Sequence, residues 1–155
     1  MVFNKILLII LSLIFNNFIL AQQAQEGEIK EVISLFFDGL HNGDTLKVKQ
    51  TIDDELILQT IFVNKEGETI LRNENVRKFL NSVASKNKED KWEEKLLSFK
   101  ISIDDKMANV WTPYEFYLNE NLNHCGVNSF QMFRDGEDWK IIYLIDTRRK
   151  KDCKK

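Results

Sequence analysis

The sequence predicts an α+β domain in which N-terminal helices pack on one side of a curved antiparallel sheet. Three observations predict it. Apolar residues recur at helical spacing from Ile29 to Leu40 and from Val76 to Val83. From Trp92 onward the apolar period changes from 3.6 to 2, and short polar turns separate the runs that follow.

The elements follow in order. The opening "MVFNKILLIILSLIFNNFILAQQ" carries one early cation, Lys5, an apolar stretch from Ile6 to Leu20, and a small residue, Ala21, before Gln22. That is the grammar of a cleaved secretory signal over residues 1–21, which leaves a single domain over 22–155 and places the mature chain in the periplasm or outside the cell. Ser12, Asn16 and Asn17 interrupt the stretch, so no stable membrane anchor is expected after cleavage. After Glu26 and Glu28, residues Ile29, Val32, Ile33, Phe36, Phe37 and Leu40 mark one helix face, and the acidic pair suits a helix N-terminus. "HNGD" ends this helix, with Gly43 suited to a left-handed cap and Asp44 to the N-cap of a short second helix through about Ile52.

"ELILQTIFVNKEGETILRN" reads as a hairpin turning at Lys65-Glu66-Gly67, and Asn73 is the expected N-cap of a third helix. Beyond the "SKNKEDK" exit loop, Leu97, Phe99, Ile101 and Ile103 alternate with polar residues as one strand with one buried face. In the next strand Ala108, Val110, Thr112, Tyr114, Phe116 and Leu118 look inward, while Pro113 favours an edge or a bulge. Two further strands, Leu122 to Phe133 and Trp139 to Arg148, flank Asp135-Gly136, a strong hairpin signal. The last of these is apolar on both faces, with Leu144 among the residues left for a partner to cover, so a homodimer through the outer sheet face is expected.

This order of elements, with the helix ending in "HNGD", the "MANVWTPYEFYL" strand and the closing "FRDGEDWKIIYLIDTRR", resembles the nuclear transport factor 2-like superfamily. That superfamily includes ketosteroid isomerases, polyketide cyclases, scytalone dehydratase and limonene epoxide hydrolase. More closely, "VWTPYEFY…HCGVNSF…WKIIYLIDTRR" resembles secreted bacterial members with no assigned reaction. The resemblance implies a cystatin-like α+β fold with a cone-shaped cavity between sheet and helices. It implies no particular chemistry, because members of one fold differ completely in what they catalyse.

Strand registers then select the pocket. A three-residue Asn119-Glu120-Asn121 loop pairs Phe116 with His124, Tyr114 with Gly126, Thr112 with Asn128 and Val110 with Phe130. A two-residue Asp135-Gly136 turn sets Met132 against Trp139, Phe130 against Ile141, Asn128 against Tyr143 and His124 against Thr147. The inward face of the fifth strand thus runs from apolar Met132 and Phe130 to polar Asn128 and His124, the gradient of a ligand site. Gly126 leaves room for a ligand or a neighbouring ring to reach the backbone.

His124, whose ordinary pKa of about 6.5 lies near operating pH, is the candidate for proton transfer, with Tyr114 and Tyr143 as hydrogen-bond donors to a substrate oxygen. Thr112, Phe116, Asn128, Phe130, Phe36 and Asp146 are the candidate ligand contacts. Asp146 faces His124 only if the last turn has an odd length. The two-residue turn puts it on the opposite face beside Cys125, which the polarity match favours, with a surface ion pair to Arg148 as its plain role. An acidic base of the ketosteroid isomerase kind has no clear inward counterpart.

Cys125 and Cys153 suit a disulfide in an exported chain, provided the tail folds back to bring their Cα atoms within about 4.4 to 6.8 Å. No metal site is expected from two histidines and two cysteines without close-spaced pairs, and no cofactor from a chain lacking a phosphate-binding glycine loop. Residues 22–145 carry 15 basic against 22 acidic residues, while six cations crowd the last eight positions. This basic tail is a solvated terminus by its plainest reading, and nucleic-acid binding has no other support.

The sequence therefore points to an exported domain that holds a small apolar or aromatic molecule. The alternatives are a cofactor-independent lyase, isomerase or hydrolase with His124 as general base, and a dimeric protein-interaction module.

Overall fold

A computed structural model describes the backbone of residues 2–153 and the side-chain surroundings of residues 22–153. The side chains of the expected signal segment, and Lys154 and Lys155 of the basic tail, lie outside the described residues. The chain divides into two compact units, residues 1–31 and residues 32–155. The first is helical from Val2. The second holds everything that concerns the site.

The first helix, α1, runs Val2–Asn42. It starts well before the polar entry at Glu26, because nothing between residues 2 and 25 breaks a helix: there is no Pro or Gly there, and most residues are good or neutral helix formers. It ends as expected, at Gly43 (φ +69°), and Asp44 caps α2 (Thr45–Thr51) by accepting from the backbone N–H groups of Leu46 and Lys47. The hairpin β1 (Ile52–Val63) and β2 (Thr69–Glu74) turns through Gly67 at φ +85°. Asn73 belongs to β2, and Asn75 caps α3 (Val76–Ala84) by accepting from the N–H of Lys78. The sequence offers asparagine at both positions, and the strand claims the first.

The remaining strands are β3 (Trp92–Leu96), β4 (Lys100–Asp104), β5 (Met107–Leu118), β6 (Asn121–Asp135) and β7 (Asp138–Arg148). They form one sheet in the order β2-β1-β7-β6-β5-β3, with β4 also on β5. The sheet is mixed: every pair is antiparallel except β1 with β7, which run parallel. A hairpin that leaves α2 and returns to the far edge of a meander arrives in that direction, so an all-antiparallel sheet does not form.

The β5–β6 pairs are Phe116 with His124, Tyr114 with Gly126, Thr112 with Asn128 and Val110 with Phe130. The loop is the two residues Asn119 and Glu120, both at positive φ, and an irregularity between Phe116 and Tyr117 supplies the third. The β6–β7 register departs from expectation. Asp135 pairs with Asp138 across Gly136-Glu137, and Met132 pairs with Ile141, but Gln131 pairs with Tyr143, so Ile142 is bulged out. A one-residue bulge exchanges the two faces of everything beyond it. Leu144 and Asp146 therefore turn inward, opposite Phe130 and Asn128, and Tyr143 turns outward. Buried Leu144 belongs to the interior and cannot serve the outer contact expected of it.

A second irregularity splits what the sequence presents as one strand. Leu96 pairs with Tyr114 and Lys100 with Trp111, which leaves Leu97, Ser98 and Phe99 to span the two positions Thr112 and Pro113. Pro113 explains the site of the break. Its C=O accepts from the N–H of Leu97, so the N–H it lacks falls on the same side, where the ladder fails. Before the break Trp92, Glu94 and Leu96 face inward partners on β5, and after it Ile101 and Ile103 do.

The packed end of the core sits between α1 and the sheet. Phe36 stacks on Phe79 and meets the edge of Phe130, which also meets Phe37. Phe36, Phe37 and Phe130 are buried, and each such ring stabilises the fold by roughly 1.5–3 kcal/mol. Gly126 is the tightest position: a Cβ there would lie 1.7 Å from the carbonyl oxygen of Thr147 and 2.9 Å from the Tyr114 ring, so only glycine lets β7 and that ring close over β6.

Candidate functional site

Above the packed end the sheet and helices enclose a cavity of about 480 Å³. Leu40, Leu58, Trp92, Phe116 and Leu144 give it an apolar wall, and Glu94, His124, Asp146 and Arg148 give it polar groups. The two irregularities account for both acids. The β3–β4 break puts Glu94 on the inward face, and the Ile142 bulge does the same for Asp146.

Asp146 is 8% exposed and fully engaged. Its Oδ1 accepts from the hydroxyl of Thr60 (2.6 Å), and its Oδ2 accepts from the Tyr114 hydroxyl (2.9 Å) and from Arg148 Nε (2.8 Å). The expected ion pair with Arg148 is present, and it joins the buried carboxylate to an arginine whose side chain is 45% exposed. Tyr114 also lies 3.0 Å from the carbonyl oxygen of Thr147, and burial beside Asp146 raises its pKa, so the phenol stays protonated.

Glu94 is engaged differently. Asn128 Nδ2 donates to its Oε1 (2.6 Å), and its backbone N–H donates to His41 Nε2 (2.7 Å), which ties β3 to the end of α1. The residue keeps some exposed surface while its carboxyl is enclosed. Burial lifts the carboxyl to about 7; the charge of Asp146 pushes the same way, and the Asn128 amide opposes both. His124 moves in the opposite sense. Burial, reinforced by Arg148, lowers it to about 4, so the ring is neutral at neutral pH. It packs on Phe116 at a centroid distance of 4.9 Å and on the edge of Tyr114.

Of the residues singled out in the sequence, Phe116, His124 and Asp146 line the cavity. Tyr114 and Asn128 stand behind the lining, and each holds a carboxylate. Phe36, Thr112 and Phe130 are buried in the packed end below it. Tyr143 lies on the outer face with its hydroxyl donating to Gln59, so it is not at the site. Thr60, Glu94 and His41 escape the sequence reading, which names Arg148 only as the ion-pair partner of Asp146. Glu94 had a local signal, since Trp92 and Leu96 flank it at spacing two, but the phase of Leu97 to Ile103 points the other way.

Cys125 and Cys153 are joined as a disulfide with a Cα separation of 5.4 Å. Among the described residues no group of three or more His, Cys, Asp or Glu side chains is placed to hold a metal ion.

The family model described as "Putative lumazine-binding" matches residues 24–143. The chain belongs to this family. It has the nuclear transport factor 2-like fold, as the solved structures also show. A Mycobacterium tuberculosis protein of unknown function aligns with a TM-score of 0.67 at 9% identity, over 83% of this chain and 74% of its own. A protein from Cytophaga hutchinsonii described as NTF2-like aligns at 0.62 and 16% identity, over 81% and 98%. A Nostoc punctiforme protein with a cystatin-like fold aligns at 0.60 and 14%, over 81% and 92%. No curated protein matches the chain.

The raised carboxyl gives a testable pH dependence. A carboxyl whose folded pKa lies above its ordinary 4.5 disfavours folding once ionised, so its cost grows from about pH 4.5 to 7 and is constant above. Glu94→Gln keeps an acceptor for Asn128 and removes the charge. In urea denaturation the variant should match the wild type at pH 4 and exceed it at pH 8, by at most about 3 kcal/mol. A wild-type-minus-variant difference independent of pH would contradict the enclosure of Glu94.

Proposed function

We propose that the chain is an exported carrier or sensor domain that holds a small planar, largely apolar molecule in its cone. The observation that carries this reading is the pairing of an apolar wall containing Trp92 and Phe116 with one carboxyl, Glu94, whose pKa of about 7 lets it either donate or accept a hydrogen bond. The family description adds a chemical class. A lumazine is a flat bicycle edged with N–H and C=O groups, which suits a slot with stacking side chains and one adaptable carboxyl.

Asp146 supports binding over turnover, because three donors already occupy it. A second reading, a cofactor-independent proton-transfer enzyme, is favoured by Glu94 alone. Its pKa makes it a far stronger base at neutral pH than His124 at about 4.

Export is supported by the leader-like residues 1–21 and by the disulfide, which suits an oxidising compartment. The protein recovered outside the cytoplasm should begin at Gln22 by intact mass; recovery of an uncleaved chain from the cytoplasm would contradict it.

Titration with lumazine and with 1-naphthol should quench tryptophan fluorescence through Trp92, with micromolar affinity, and Phe116→Ala should weaken binding about tenfold, the effect of losing one ring contact. Absence of binding by either compound at millimolar concentration would overturn the carrier reading. Turnover of a bound ligand that Glu94→Gln abolishes without changing its Kd would make the chain an enzyme instead.

A further inference from the structure

A second, more open cavity of about 680 Å³ adjoins the cone and shares Arg72, Asn123, His124 and Arg148 with it. Beyond those shared residues its wall includes Arg149, Lys150 and Lys151. Among the described residues, five cations and no acidic residue therefore line this second cavity, beside Phe62 and Val63, although the body of the chain is acidic. No ion pair is formed by Arg149, Lys150 or Lys151 among the described residues.

These cations do not lie on a loose terminus. Arg149 exchanges two backbone hydrogen bonds with Cys125, each 2.9 Å, and four residues later Cys153 is bonded to the same Cys125. Both ends of the Arg149–Cys153 segment are thus fastened to one buried residue of β6, next to His124. A tail that served only solubility would gain nothing from such a fastening. A fixed arc of cations beside an apolar cavity recognises a molecule with an apolar body and an anionic head.

We infer that the disulfide-fastened arc of Arg149, Lys150 and Lys151 binds the anionic group, a phosphate, sulfate or carboxylate, of a soluble ligand whose planar apolar body occupies the cone. This inference rests on the carrier reading and adds to it the chemistry of the ligand's exposed end. Arg148 donates through Nε to Asp146 while its half-exposed side chain lines both chambers, and His124 stands where the two chambers meet.

The test compares 1-naphthol with 1-naphthyl phosphate on the full chain at low and high salt. Naphthyl phosphate should bind about tenfold tighter at low salt, the effect of one or two charge-assisted hydrogen bonds, and the preference should shrink at high salt. Lys150→Ser with Lys151→Ser should remove most of the preference and leave naphthol affinity unchanged. Cys153→Ser, which frees the end of the arc while leaving β6 intact, should reduce the preference several-fold. Equal affinities for the two compounds in the wild type would overturn the inference and leave the carrier reading standing. Failure of both to bind would overturn the two together. Displacement of naphthyl phosphate by phosphatidylglycerol vesicles would make the anion a lipid headgroup and overturn a soluble ligand.

Discussion

Two carboxylates in one apolar cone is the constraint on which the arrangement of this molecule depends. An uncompensated buried carboxylate costs several kcal/mol, so each must be placed where donors await it. Two strand irregularities do the placing. The break at Leu97–Phe99 turns Glu94 inward, and the bulge at Ile142 turns Asp146 inward. With perfectly regular strands both acids would face solvent and the cone would lose its two buried carboxyls.

The two acids are then given different fates. Asp146 receives Thr60 from β1, Tyr114 from β5 and Arg148 from its own strand, so it knits together three strands of the sheet. Glu94 receives one amide and little compensating charge, and its proton affinity rises accordingly. The division leaves one acid as scaffold and one as the adaptable group that faces a ligand. Gly126 belongs to the scaffold side, since the Tyr114 ring reaches Asp146 only across a position without a side chain.

Much of this was legible in the sequence, and the limits have physical causes. Period-two alternation on β5 and β6 gives the correct pairs from Val110–Phe130 to Phe116–His124, even though the loop is two residues with an added irregularity rather than three. Alternation is a property of parity, so it survives such compensations. It fails where an uncompensated residue intervenes, and the missed placements, Glu94, Leu144 and Asp146 inward and Tyr143 outward, are each set off by such a residue. Pro113 announces its break through the N–H it lacks. Ile142 announces nothing, because a β-branched apolar residue suits a strand and a bulge alike. The parallel β1–β7 pair and the Asp146 donors from β1 are long-range consequences that local patterns do not encode.

The different fates of the two acids depend on the carboxyl of Glu94 being held inside the cone. Carbon-13 NMR titration of the side-chain carboxyls, with Glu94 assigned by its loss in Glu94→Gln, measures this directly. The carboxyl resonance should titrate with a midpoint near 7, well above the ordinary carboxyl value of 4.5. A midpoint between 4 and 5 would place that carboxyl in water and contradict the proposed division between scaffold acid and ligand-facing acid.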